Sequence, residues 1–326
     1  MNIRRIILAN VIVLFSALII IELANNIIYK SKYIPLIRLQ ISNHQKNSFL
    51  NVIRSLPGYR KTVIYDFHKH RDRGKFYSHG NSDKRPIITV GCSYTSGVFL
   101  RKKETLAGQL RKITGRNVYN LGLPATGPQI VYEQLADPKL KESIPDAEYV
   151  IYIFLHNHIL RQFMRIITPN LGDVSPTYYI DSEGNLKKRK YIFPKFVYSL
   201  FLYRNYLEYK LQKEEQNELE SGLPLFMKTM EECVKAMKNN YSDSKFVLIE
   251  FPQAAICSPD YVEKSQELKD DEIKKLKDMG IIYINAEELV GHKFRDIEKY
   301  RIADRDHPNG KVWEEIAPAL KKRLNL

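Results

Sequence analysis

Ile87-Ile88-Thr89-Val90-Gly91-Cys92-Ser93-Tyr94-Thr95 is the stretch on which the reading of this chain turns. Its first four residues are all β-branched, the composition of a short buried strand. The glycine after them permits a sharp turn, and the small residues beyond it bring a serine hydroxyl to the strand's end. A strand that runs straight into such a turn suits a parallel sheet, which collects ligands at the C-terminal ends of its strands. It needs neighbours of the same kind, and the sequence downstream supplies them.

Glu104 to Thr114 reads as a helix, with Leu106, Leu110 and Ile113 on one face and Gly115 as its stop. Asn117 to Leu121 is a second strand, and Gln129 to Leu135 a second helix entered through Gly127-Pro128. Tyr149 to Leu155 is the clearest strand of the chain. After residue 158 the rhythm breaks. A hairpin is expected over Thr177 to Ile192 around Ser182-Glu183-Gly184-Asn185, then a long helix from Tyr198 to Glu220 that starts aromatic and ends charged. The rhythm resumes with a helix from Leu223 to Asn239, the strand Phe246 to Phe251, a helix from Glu263 to Met279 and the strand Ile281 to Asn285. A last helix runs from about Lys311 to Leu324, with a kink expected at Pro318. The fold class is therefore α/β: a three-layer α/β/α (flavodoxin-like) domain over 86–326, with a mainly parallel central sheet and an inserted hairpin/helix segment at about 159–222.

The N-terminus has a different character. Met1-Asn2-Ile3-Arg4-Arg5 is a short basic start, and Ile6 to Ile28 is mostly apolar, near the ~20 residues that span a bilayer. Residues 1–29 are read as an N-terminal transmembrane anchor, because Glu22-Leu23-Ala24 lacks the small-x-small pattern of a cleaved signal peptide. Residues 30–85 read as a basic juxtamembrane linker, in which lysines and arginines from Lys30 to Arg85 face only Asp66, Asp72 and Asp83. Such a segment is either a solvated connector or one that lies along anionic lipid. Arg4 and Arg5 favour a cytoplasmic N-terminus, while Lys30, Lys32 and Arg38 pull the other way. A very short tail before a single span most often stays inside, so the body is expected on the extracytoplasmic side.

The net charge of +14 suits anionic partners. No zinc-finger spacing, RNA-binding aromatic signature or basic zipper is present, so no nucleic-acid partner is expected. Cys92, Cys233 and Cys257 match no metal site. A Cys233–Cys257 bridge would suit an extracytoplasmic domain, and three reduced buried thiols are the plainer expectation.

Chemistry enters through Ser93 and through Asp304-Arg305-Asp306-His307-Pro308. At a strand's C-terminal end the Ser93 hydroxyl faces the ligand crevice, and its N–H opens a helix, where a developing oxyanion is stabilised. Asp304 lies three residues before His307, so it can accept from one imidazole nitrogen while the other faces Ser93. Asp306 points elsewhere. Each piece alone is weak, since turn serines and Asp-x-x-His are common. Asn120-Leu121-Gly122-Leu123-Pro124-Ala125-Thr126-Gly127 after the second strand offers another N–H donor, and Asn157 after the third offers its amide.

This ordered set resembles the SGNH (GDSL-like) hydrolase superfamily, in a divergent membrane-anchored form, over roughly residues 86–326 outside the insertion. Ser93 matches the block I nucleophile, Asn157 the block III asparagine, and Asp304 and His307 block V. The resemblance implies a Ser93–His307–Asp304 triad, an oxyanion hole from Ser93, Ala125 and Asn157, and an acyl-enzyme formed without metal or organic cofactor. The implied substrate is a small-molecule, glycan or lipid ester, with hydrolysis or O-acyl transfer as the outcome. Activity is expected to rise with pH until the imidazole is neutral. Cys92 stands where aspartate usually precedes the serine, Ala125 where block II has glycine, and Leu155 where block III has glycine, with His158 in place of a following aspartate. Gly122 is an alternative match for block II. These departures motivate a second reading, an inactive SGNH-fold binding or assembly protein at the membrane.

Overall fold

The computed structural model describes residues 16, 77–78, 83–97, 100–123, 126–144, 146–162, 176–189, 222–251, 268–294, 297–300 and 307–326. Its strands are β1 (Tyr77–Ser78), β2 (Ile87–Gly91), β3 (Val118–Asn120), β4 (Tyr149–Phe154), β5 (Tyr178–Ile180), β6 (Leu186–Lys188), β7 (Lys245–Glu250) and β8 (Ile281–Asn285). Six of them form one sheet in the order β1-β3-β2-β4-β7-β8. Every pairing is parallel except that of β1 with β3 at the edge. The parallel strands, numbered along the chain, lie in the order second, first, third, fourth, fifth. That is the doubly wound arrangement whose direction of winding reverses between its first and third strands.

Alternation along each strand explains the two cores. Ile87, Tyr149, Ile151, Ile153, Val247 and Ile249 face one side. Ile88, Val90, Val150, Tyr152, Phe154, Phe246 and Leu248 face the other. Both faces are apolar, so helices must cover both. On the first face lie α1 (Ser93–Ser96), α2 (Leu106–Thr114), α8 (Ala286–Val290), α9 (Ile297–Tyr300) and α10 (Gly310–Leu324). On the second lie α3 (Pro128–Ala136), α4 (Pro138–Ser143), α5 (His158–Arg161), α6 (222–240) and α7 (Asp270–Asp278). The expected three-layer α/β/α architecture is therefore what the chain forms.

Some boundaries differ from expectation for local reasons. The helix expected from Glu104 begins at Leu106, because Thr105 is extended and caps it, its hydroxyl accepting from Gly108 N at 3.1 Å. The helix expected from Glu263 begins at Asp270, since Lys269 is extended and its N–H is taken by Glu272 at 2.7 Å. Asp270, Asp271 and Glu272 then sit in the first turn, where the helix dipole favours acids. α10 runs through Pro318 as one helix.

The β5–β6 hairpin forms as expected, with Gly184 at positive φ in its turn. It leans on α3, where Glu133 takes both the Tyr178 hydroxyl and, at 2.5 Å, the Lys188 ammonium. β1 brings part of the segment read as linker onto the sheet edge. The expected anchor, apart from residue 16, and most of the linker lie outside the described residues, as do the helix expected over 198–220 and Cys257. Among the described residues no helix is long and apolar enough to cross a membrane. Cys92 and Cys233 are buried free thiols.

Candidate active site

The turn after β2 is built to hold Ser93. Gly91 has φ of 137°, a conformation that side chains resist, and an added Cβ would meet Thr95 Oγ1 and lie 2.9 Å from Ile153 O. Cys92 then enters α1 fully buried. Thr95 Oγ1 donates back to Val90 O at 3.1 Å, clamping the short helix onto its strand. Ser93 is left at the first helical position, 9% exposed, with its hydroxyl at the sheet's C-terminal edge.

His307 arrives from the far end of the chain. α10 packs beside α2 on the first face of the sheet, and Tyr149 Oη ties its end to the sheet by donating to Leu324 O at 2.9 Å. Asn309 caps α10 by accepting from Lys311 N at 3.0 Å, and its Nδ2 donates to Lys299 O at 2.7 Å. The histidine two residues earlier is thereby held over α1. His307 Nε2 lies 2.9 Å from Ser93 Oγ, across 214 positions of sequence. The His307 ring also leans on Tyr94, with centroids 5.6 Å apart, and Tyr94 packs edge-on against Phe251.

β2 and β4 are in register from Ile87 opposite Tyr149 to Gly91 opposite Ile153. Ser93 and Asn157 therefore leave the same sheet edge from adjacent strands, at the reversal of winding where such sheets place ligands. Asn157 accepts from Arg161 N through its carbonyl at 3.1 Å. The loop after β3 joins them: Leu123 N donates to Gly91 O at 2.8 Å and Asn120 Nδ2 to Thr95 O at 2.7 Å. Gly122 lies flat on α1, where a Cβ would meet Ser96 N and come within 2.7 Å of the Thr95 carbonyl carbon. Its N–H donates to Asn120 Oδ1 at 3.0 Å, so it is not offered to a ligand. Of the two block II matches, Gly122 is thus occupied. Ala125 and Asp304 lie outside the described residues.

A buried pair beneath Asn157 was not anticipated as a unit. His158 Nδ1 lies 2.7 Å from Tyr152 Oη and 3.4 Å from Leu155 N. A backbone N–H can only donate, so Nδ1 accepts and the ring proton sits on Nε2. Burial, and then the nearby Arg161 charge, hold this imidazole well below its ordinary proton affinity. Burial alone pushes His156 down to about 4. His158 is thus a neutral, fully buried ring that pins the turn after β4. Among the described residues no cluster of His, Cys, Asp and Glu could hold a metal ion.

No family model matches the chain, and no curated protein matches it. Solved structures do. A lipolytic protein of the G-D-S-L family from Desulfitobacterium hafniense is 9% identical over 73% of this chain and 99% of that one, with a TM-score of 0.39. A lipase from a goat rumen metagenome is 10% identical over 73% and 97%, with a TM-score of 0.45. An acetyl xylan esterase from the rumen bacterium Butyrivibrio proteoclasticus is 9% identical over 74% and 65%, with a TM-score of 0.39. At such identities and TM-scores the likeness carries no argument about the reaction, and the chemistry has to come from this chain's own residues.

Proposed function

We propose that the protein is a serine ester hydrolase in which Ser93 is the nucleophile, His307 the general base and Asp304 the residue that orients the imidazole. The observation that carries this reading is the 2.9 Å contact between His307 Nε2 and Ser93 Oγ. Neutral Nε2 takes the hydroxyl proton as Oγ attacks the ester carbonyl. The N–H groups of Ser93 and Ala125 and the Asn157 amide stabilise the tetrahedral oxyanion, each donor worth about 3 kcal/mol in such sites. His307 returns the proton to the leaving alcohol, and an acyl group remains on Ser93. Water activated by the same ring releases it. Another acceptor in place of water would make the reaction an O-acyl transfer. The substrate class is a small-molecule, glycan or lipid ester. The apolar segment Ile6 to Ile28 supports membrane attachment, with the domain extracytoplasmic.

Reaction with a fluorophosphonate probe tests the reading. The wild type is expected to label, Ser93→Ala to lose labelling, and His307→Ala to label far more slowly. Well-folded wild type that does not label would favour an inactive binding protein.

A further inference from the structure

Arg161 lies on the same helical face as Asn157. It closes the first turn of α5, its N–H donating to Asn157 O at 3.1 Å, and residues four apart are neighbours on a helix surface. Its guanidinium reaches back to the loop after β3, where Nη1 donates to Thr126 O at 3.3 Å. Thr126 in turn lies against the nucleophile turn, its Oγ1 3.3 Å from Gly91 O. The backbone of Arg161 is held from behind, since Gln129 Nε2 donates to its carbonyl at 2.9 Å. A guanidinium is thus fixed where the loops from β2, β3 and β4 converge.

Among the described residues no carboxylate pairs with Arg161. Arg85 pairs with Asp146 and Arg116 with Glu148. Arg161 is half-buried, and among the described residues its side chain meets only a neutral carbonyl. A guanidinium carries five donors in a planar fork that matches a carboxylate. A partly desolvated cation without an acid is costly unless an anion meets it. The chain's overall positive charge would favour the approach of such an anion.

We propose that Arg161 is a specificity-determining residue that binds a carboxylate carried by the ester substrate, so that the site prefers acidic esters to neutral ones. This rests on the esterase reading and names its substrate class. Three substrates separate the cases: 4-nitrophenyl acetate is neutral, mono-4-nitrophenyl succinate is acidic on the acyl side, and O-acetylated galacturonic acid is acidic on the alcohol side. The ratio of kcat/KM for an acidic ester to that for the neutral one is expected to fall about tenfold to hundredfold in Arg161→Gln, the range of a hydrogen bond to a charged group. Arg161→Lys should restore part of it. Which acidic ester responds tells on which side the carboxylate sits.

An unchanged ratio for both acidic esters, whatever the loss of absolute activity, would overturn the proposal and make Arg161 a brace for the Thr126 loop. A binding arm needs no turnover. Succinate and galacturonate are titrated calorimetrically into Ser93→Ala, with and without Arg161→Gln. Binding that depends on Arg161 supports the carboxylate site even if fluorophosphonate labelling has failed. No binding of either anion to folded Ser93→Ala overturns it even if labelling has succeeded.

Discussion

At Ser93 the chain spends conformational freedom to place one hydroxyl. Gly91→Ala forces a side chain into a φ of 137° and against Ile153 O. We expect it to cost about 3 kcal/mol, read as a lower urea midpoint, with ester turnover lost alongside. Ser93 and His307 were legible in the sequence because each is tied to a local pattern: a β-branched strand before a glycine, and a polar turn before the last helix. Arg161 and the Tyr152–His158 pair were not, because their meaning depends on contacts across the fold. The Arg161 guanidinium is held by Thr126, thirty-five positions earlier, and Tyr152 is indistinguishable in sequence from the other apolar residues of β4. Of the two block II positions, Gly122 gives its N–H to Asn120, and Ala125 lies outside the described residues.

At the scale of elements, strand and helix order followed from alternation and spacing, while starts and stops followed from caps that spacing does not reveal. Thr105 and Lys269 are extended residues inside runs that look helical. α10 shows how a cap serves the site. Asn309 caps it and ties it to Lys299 O, two residues after His307. Asn285 caps α8 in the same manner, far along the chain from the serine. Asn309→Ala and Asn285→Ala should each lower stability by about 1 kcal/mol. The Asn309 variant is expected to lose several-fold more kcat, because its loop carries His307, the proposed base. Equal losses of kcat would mean that the cap contributes stability alone.

For the whole molecule, two histidines under the sheet edge couple folding to pH. His156 and His158 are held neutral in the fold, His156 down to about 4 against an ordinary 6.5, chiefly by burial. Above the ordinary value both rings are neutral folded or unfolded, and they add no pH dependence. Below it the unfolded chain takes up protons that the fold refuses, so stability falls as pH falls, through about pH 4 for His156. The slope is at most about 1.4 kcal/mol per pH unit for each ring. Urea midpoints measured between these limits should fall with pH, and His156→Gln should flatten the fall by about half. A midpoint independent of pH there would contradict the burial of these rings.

The three-layer fold was legible at this scale because both faces of every central strand are apolar. What the inserted segment contributes was not, since a hairpin and a charged helix pattern carry no signal of where they pack. The β5–β6 hairpin settles on α3 through Glu133, a contact between residues with no shared periodicity. The central claim remains that one serine carries the acyl group. Mass spectrometry of the protein quenched in acid during turnover of an activated acetate ester tests it most directly. The account predicts one acetyl group on the peptide that contains Ser93, accumulating in the wild type and absent from Ser93→Ala. Turnover that persists in Ser93→Ala, or an acetyl group found only on another peptide, would contradict it.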